Sequence, residues 1–368
     1  MEPFKNLLGL PAASRISKAV KRAHPSFHDT AFLKNLKAEL EPLELKQRMM
    51  LLTERLERCL PEDPRESFRI LEDSLKMSET DAIGLSGFPV WPLTHFVAQN
   101  GQRHFELSMR ALSAMTKVFS AEFAIRPFLI NDEIRSLRQL QKWTEHENEH
   151  LRRLASEGSR PLLPWGIKLT EFVKSPEKTW PILAALRDDE SKYVQKSVAN
   201  HLNDHSKNHG DWLIKRLGTW RKDSTLRPTG EWIIRHATRT LVKKGHPGAL
   251  LLHGVKPLTL NRVKTELLTK KVKLNTSLEV RVHLQNSTPE DVNLIVDIEI
   301  SFLKANGKHS PKVFKGKKLI LAAGAKGRIL LKVPLRKVTT RRYYAGKQKG
   351  SVLINGARQK EFSFELLT

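Results

Sequence analysis

Residues 150–158, HLRRLASEG, set the terms for the whole chain, because their pattern returns twice: as YVQKSVANHL at 193–202 and WIIRHATRTL at 232–241. Each segment places an apolar residue first, then basic or amide residues, then small and apolar ones. With Leu151, Val194 and Ile233 taken as equivalent, the separations are 43 and 39 residues, close to the period of stacked helical repeats. Arg153, Lys196 and Arg235 then fall in register. A bundle around a single core has no use for a basic residue recurring there. A solenoid does, because its equivalent helices stack and line one concave face. The pattern therefore predicts an α-helical HEAT-like repeat solenoid over residues 1–254.

The flanking sequence agrees. In AFLKNLKAELEPLELKQRMMLLTERLERCL (31–60), Phe32, Leu33, Leu36, Leu40, Leu43 and Leu45 stand near helical spacing, and Pro42 starts a new helix rather than continuing one. An amphipathic helix is expected from about 66 to 78. GLSGFPVWPLTHFV (84–97) reads as a turn-rich apolar connection. Helical patterns resume in HFELSMRALSAMTKVF, AEFAIRPFLI and DEIRSLRQLQKW.

Past residue 254 the period changes to two. SLEVRVHLQN, VNLIVDIEISFL, KKLILAAG, GRILLKVPL, GSVLING and KEFSFELL alternate, separated by Asn286-Ser287-Thr288-Pro289, Asn306-Gly307, Gly324 and Asn355-Gly356. Six or seven short strands predict an all-β immunoglobulin-like sandwich over 255–368. From Lys256 onward there are 24 Lys and Arg against 8 acids, so this segment holds +16 of the chain's net +25. A solubilising surface mixes its signs more evenly. Lys315, Lys317 and Lys318, with Lys337, Arg341 and Arg342, read as a phosphate-facing surface.

A chain of 368 residues is long for one core and implies two or three domains. Its charge calls for a polyanionic partner, nucleic acid first and an anionic membrane surface second. No apolar run approaches the roughly 18 residues that span a bilayer, and the N-terminus does not read as a secretory signal. Cys59 is the single cysteine, which leaves no disulfide framework or cysteine zinc site and fits a reducing cytoplasm.

Two histidine patterns bear on chemistry. His146-Glu147-Asn148-Glu149-His150 matches H-E-x-x-H, which on a helix presents two zinc ligands and a general base. Its surroundings are highly charged and no third ligand is marked, so a solvated helix face is the simpler expectation. His201, His205 and His209 form a stripe without cysteine and read as surface or groove residues, some touching phosphate. No metal or cofactor is expected.

The third pattern is more informative. Trp165 lies in RPLLPWG, where the prolines fix the backbone and a helix is expected to start; the bland alternative is a core tryptophan. Glu157 and Asp204 come late in predicted helices, where an acid opposes the macrodipole. Two such misplaced carboxylates and an aromatic ring suit a pocket for a cation.

LASEGSRPLLPW, SVANHLNDHSK and RHATRTLVKKGHPGAL, with LELKQR near residue 45, resemble the AlkC-type bacterial DNA glycosylases of the HEAT-like-repeat superfamily. The resemblance covers residues 1–254, and the basic sandwich resembles the immunoglobulin-like domain of some members. It implies excision of cationic N-alkylated bases, chiefly 3-methyladenine and 3-methylcytosine, from DNA without strand cleavage and without full base flipping. The family's catalytic positions fall on Glu122, Glu157, Trp165 and Asp204. Ser159 stands where many relatives would carry cysteine.

A base that is already cationic leaves readily, so the catalytic task is to stabilise an oxocarbenium-like sugar. Asp204 is the candidate for that, Trp165 for packing on the sugar or lesion, and Glu157 and Glu122 for contacting the lesion or placing water. Carboxylates repel DNA, so Arg152, Arg153, Arg160, Lys196, Lys207, Arg235, Lys243 and Lys244 are expected on phosphates, with the sandwich lysines and arginines. The rival expectations are a non-catalytic HEAT-repeat nucleic-acid-binding scaffold and a zinc hydrolase using His146 and His150.

Overall fold

The computed structural model describes residues 3–76, 84–255, 262–338 and 341–368. Seventeen α-helices and three short 3-10 turns precede nine strands among them, so the helical repeat region and the strand-rich immunoglobulin-like region follow one another as the two periodicities require. The chain divides into two compact units: Met1–Asn208 with Thr225–Ile233, and His209–Ser224 with Ile234–Thr368.

In the first unit the repeat segments become the helices Glu149–Gly158 and Lys192–His205, packed directly on each other. Asn148 caps the first, its Oδ1 accepting from the His150 amide at 2.9 Å, and Ser191 caps the second. Leu151, Leu154 and Ala155 of one, and Val194, Val198 and Leu202 of the other, are fully buried, the i, i+3, i+4 stripe that drives helix packing. No described helix is long and apolar enough to cross a membrane.

Local expectations needed revision. Residues 91–100 are a helix, Trp91–Asn100, because Pro92 occupies its first turn, where a missing amide costs nothing. The 66–78 helix runs Pro64–Ser74; residues 77 and 78 lie outside the described residues. No helix starts at Trp165: residues 161–166 are turns and a bend, and the next helix begins at Thr170. The H-E-x-x-H histidines do not share a helix either, since that helix begins at Glu149, after His146 and Glu147.

In the second unit, β1 (Arg262–Leu267), β3 (Ser277–Gln285) and β6 (Lys326–Pro334) form a three-stranded antiparallel sheet in the order β1-β3-β6. The facing sheet orders β2 (Lys271–Lys273), β9 (Phe362–Leu367), β7 (Gly346–Ile354), β4 (Val292–Leu303) and β5 (His309–Leu321), with β8 (Ala357–Arg358) paired to β7. β1, β2, β8 and the first half of β5 lack clean alternation and escape a pattern search. Val280, Val282, Val296, Ile298, Ile300 and Leu331 fill the core between the sheets.

Compactness does not break at 254, where the composition changes. Ile295, on the outer face of β4, is buried in one cluster with Leu241, Val242, Ala249, Leu250 and Val255. At the same place the Asn355-Gly356 turn (φ +48° and +79°) joins β7 to β8 as a two-residue hairpin of the primed type. A Cβ on Gly356 would lie 2.0 Å from the Gly245 Cα. Gly356→Ala is expected to cost about 2–4 kcal/mol, seen as a lower Tm for the cooperative melting of this unit.

Candidate active site

The carboxylates gather where helices end. Glu157 lies in the last turn of Glu149–Gly158, Asp204 in the last turn of Lys192–His205, and Glu122 in the turn after Phe105–Thr116. Carbonyl dipoles at helix C-termini repel anions, and arginines answer that repulsion. Arg160, just past its helix, donates from Nε to Asp204 Oδ2 at 2.9 Å and from Nη1 to Glu157 Oε1 at 2.7 Å. Arg153 pairs with Glu122 and reaches Glu157 Oε1 at 3.5 Å. Two arginines thus join three carboxylates.

Hydroxyls and a lysine complete the set. Ser197 Oγ donates to Glu157 Oε2 at 2.6 Å, Ser120 Oγ donates to Glu122 at 3.1 Å, and Lys207 Nζ donates to Asp204 Oδ1 at 3.0 Å. Glu157, Asp204 and Arg160 are all less than a tenth exposed. Buried ions persist only when paired and hydrogen-bonded this fully, so the carboxylates stand rigid and oriented.

Trp165 is the opposite case. It is 62% exposed with φ +65°, a left-handed conformation that a bulky residue adopts only under constraint. The turn that carries it is braced by Arg126, fully buried and not among the candidates above. Its Nε donates to the Ile167 carbonyl at 2.6 Å and its Nη1 to the carbonyls of Gly158 and Arg160 at 2.8 and 2.9 Å. Burial pulls its pKa down to about 10, aided by Arg160 and opposed by the three carboxylates, so it stays charged at neutral pH. The signal for it was a lone arginine inside the apolar run AEFAIRPFLI, which a buried helix has no other reason to carry.

Several basic residues hold internal partners instead of presenting themselves to phosphate. Arg152 forks onto Asp189 at 2.7 and 3.2 Å and donates to the carbonyls of His146 and Glu147. Arg153 and Arg160 belong to the carboxylate cluster. Lys207 pairs with Asp204 but keeps a half-exposed side chain. Lys196, Arg235, Lys243 and Lys244 are exposed. His201 and His205 are buried, contrary to the surface expectation, because they face the packed helix pair. His201 Nδ1 lies 2.9 Å from the Ser156 carbonyl and His205 Nε2 2.9 Å from Thr179 Oγ1. Burial first, then His205, holds the His201 pKa well below 6.5. His146 accepts from the Asn148 amide at 2.9 Å, and among the described residues no three His, Cys, Asp or Glu side chains are grouped to hold a metal.

In the second unit the lysine cluster is divided. Lys318 registers with Ile295, and Lys317 with core-facing Val296, so the two point to opposite faces of the sheet. Lys315, Lys318 and Lys243 act on Asp297, whose pKa burial raises despite them and the Gly316 amide. Burial and then repulsion from Lys315 and Arg235 lower the Lys318 pKa, the mark of crowded positive charge with one acid to balance it. His253 is driven to about 4 by burial, then by Lys318, Arg235 and Arg221. Arg341 lies over the rings of Phe302 and Tyr343, and Arg342 over Tyr344.

Known proteins resemble the chain over its whole length. Residues 103–241 match the model of the DNA alkylation repair enzyme family, and 262–368 match that of the YhaZ C-terminal Ig-like domain. Protein YhaZ of Bacillus subtilis (strain 168) is 36% identical over 370 residues, covering all of both chains. A solved structure of Pseudomonas fluorescens alkylpurine DNA glycosylase AlkC, bound to DNA containing an abasic site analogue, matches with TM-score 0.90 and 37% identity, again over all of both chains.

Proposed function

The chain belongs to the AlkC family of DNA alkylation repair glycosylases, and from that premise we propose that it excises cationic N-alkylated bases, 3-methyladenine and 3-methylcytosine foremost, from double-stranded DNA. It acts as a monomer and a monofunctional enzyme, hydrolysing the N-glycosidic bond without cutting the strand or flipping the base fully. The observation that carries this is the cluster of Glu122, Glu157 and Asp204, three carboxylates fixed by Arg153 and Arg160.

Alkylation places a positive charge on the base, so the leaving group needs no general acid. As the bond lengthens, the charge passes to the deoxyribose, and a fixed carboxylate lowers the energy of that oxocarbenium-like state. Asp204 fills this role. One of its oxygens is pinned by Arg160; the other is held by half-exposed Lys207, which moves to a backbone phosphate when DNA binds and so bares the carboxylate. Glu157 and Glu122 position the attacking water and face the cationic lesion, and the Trp165 ring covers the sugar and excludes bulk water. A neutral base gains little from such a site, which supplies selectivity without a shaped pocket.

Affinity comes from charges elsewhere: Lys196, and in the second unit Arg235, Lys243, Lys244, Lys315 and Lys318, with Lys317, Arg341 and Arg342. Lys315→Ala with Lys318→Ala is expected to weaken binding to any duplex about tenfold at moderate salt. It should also lower the slope of log affinity against log salt by about 2. Fluorescence anisotropy over a salt series measures both, and an unchanged slope removes these residues from the interface.

The direct test is release of 3-methyladenine and 3-methylcytosine from methylated duplex DNA under single-turnover conditions. A wild-type protein that binds DNA and frees neither base is the non-catalytic scaffold, and the proposal fails.

A further inference from the structure

LELKQR (43–48) stands outside the carboxylate cluster, yet its side chains tie two separate segments together. Arg48, buried to 6% exposure, donates from Nη1 to the Lys5 carbonyl at 3.1 Å and to Asn6 Oδ1 at 3.3 Å. Glu44 pairs with Lys5 at 3.0 Å and closes a capping box with Gln47 at the helix start. These contacts strap the short N-terminal 3-10 turn Phe4–Leu8 onto the Leu45–Cys59 helix, with Leu8 as its buried anchor. One residue from the strap, Lys46 donates to the Trp165 carbonyl. The same segment therefore holds the neighbours of Phe4, Lys5 and Asn6, on one side and the Trp165 backbone on the other.

What they bring together is a pair of rings left open to solvent. Phe4 is 56% exposed and Trp165 62%; their centroids are 6.5 Å apart with planes at 68°. Behind them the Phe88 ring meets Phe4 edge-on at 5.3 Å and backs it against collapse into the protein. A single exposed apolar side chain is ordinary, but two exposed rings held against each other offer a ligand a flat, π-rich surface. Here the Lys46 bond to the Trp165 carbonyl and the Phe88 ring behind Phe4 hold the two rings together in the open. Two electron-rich faces at a steep angle make a receptor for a flat cation.

We propose that Phe4 is a lesion-contacting residue, forming with Trp165 a two-walled aromatic corner that engages the charged face of the alkylated base. The inference rests on the glycosylase reading above and adds a contact to that site. It explains why LELKQR places Glu, Lys and Arg as it does: the motif positions the corner.

The test uses full-length Phe4→Ala and Phe4→Leu, the second keeping apolar bulk without a π-face. Single-turnover release of 3-methyladenine is expected to fall about tenfold in both. Affinity for a duplex carrying the alkylated base should fall with it, while affinity for an abasic duplex and Tm hold. If the leucine variant releases base at the wild-type rate, Phe4 makes no π contact and the inference is overturned with the glycosylase reading intact. Equal loss of affinity for lesion and abasic duplexes also overturns it, since Phe4 would then act only by propping Trp165. A wild-type protein that releases no base ends both.

Discussion

Asp204→Asn is expected to lower the single-turnover rate of base release 10²- to 10³-fold, the cost of removing one preorganised electrostatic partner from a transition state. DNA affinity should change no more than a few-fold. Asparagine keeps the shape and one acceptor for Arg160, so the substitution tests charge more than packing. Arg160 retains Glu157 at 2.7 Å, and Lys207 retains solvent, so neither cation is stranded. Loss of rate with normal binding and normal melting assigns the effect to the oxocarbenium-like state. A rate within threefold of wild type would show that the developing charge is met elsewhere, with Glu157 next in line. Glu157→Gln is the harsher change, because it disturbs Arg153, Arg160 and Ser197 together.

Arg126→Met is expected to destabilise the first unit by about 3–5 kcal/mol and to lower its Tm by roughly 10 °C. The methionine fills much of the volume but donates nothing, and the carbonyls of Gly158, Arg160 and Ile167 lose their buried donor. Each orphaned carbonyl costs about 1–3 kcal/mol. The functional effect is expected to exceed the loss of folded protein, because those carbonyls bracket the turn that carries Trp165 and Arg160. Calorimetry, with base release measured well below the melting transition, separates the two. A Tm within 2 °C of wild type would mean that water replaces the guanidinium and that the turn is held by other contacts.

Sequence made some of this site legible and hid the rest. Glu157 and Asp204 stood out because an acid at a helix C-terminus violates a local rule, and such violations mark places where tertiary structure overrules local preference. Trp165 was visible as an aromatic after a Pro-Leu-Leu-Pro turn, but its exposure was not, since the same residue in the same turn can point inward. Arg126 shows in the sequence as one charge in an apolar run, but what it holds is invisible until its acceptors are known. Arg152, Arg153 and Arg160 read by sign as phosphate ligands, and only the fold shows that each also holds an internal carboxylate. The histidine stripe is opaque for the same reason, since burial of His201 depends on what packs against its helix face.

By itself the sequence determined what is periodic or cumulative. Spacing of 43 and 39 residues with 3.6-residue periodicity called for stacked helices, and alternation past 254 called for a sandwich. The net charge of +25 called for a polyanion. These properties are sums over many residues and survive any local error. Tertiary structure alone decided which charges neutralise one another, because an ion pair between Arg160 and Asp204, 44 positions apart, depends on helix packing to within an ångström. It also decided that Phe4 meets Trp165, and that the outer face of β4 is buried by residues from before 254. Electrostatic partnership falls off over a few ångströms and carries no period along the chain, so it becomes visible only once the fold has set the distances.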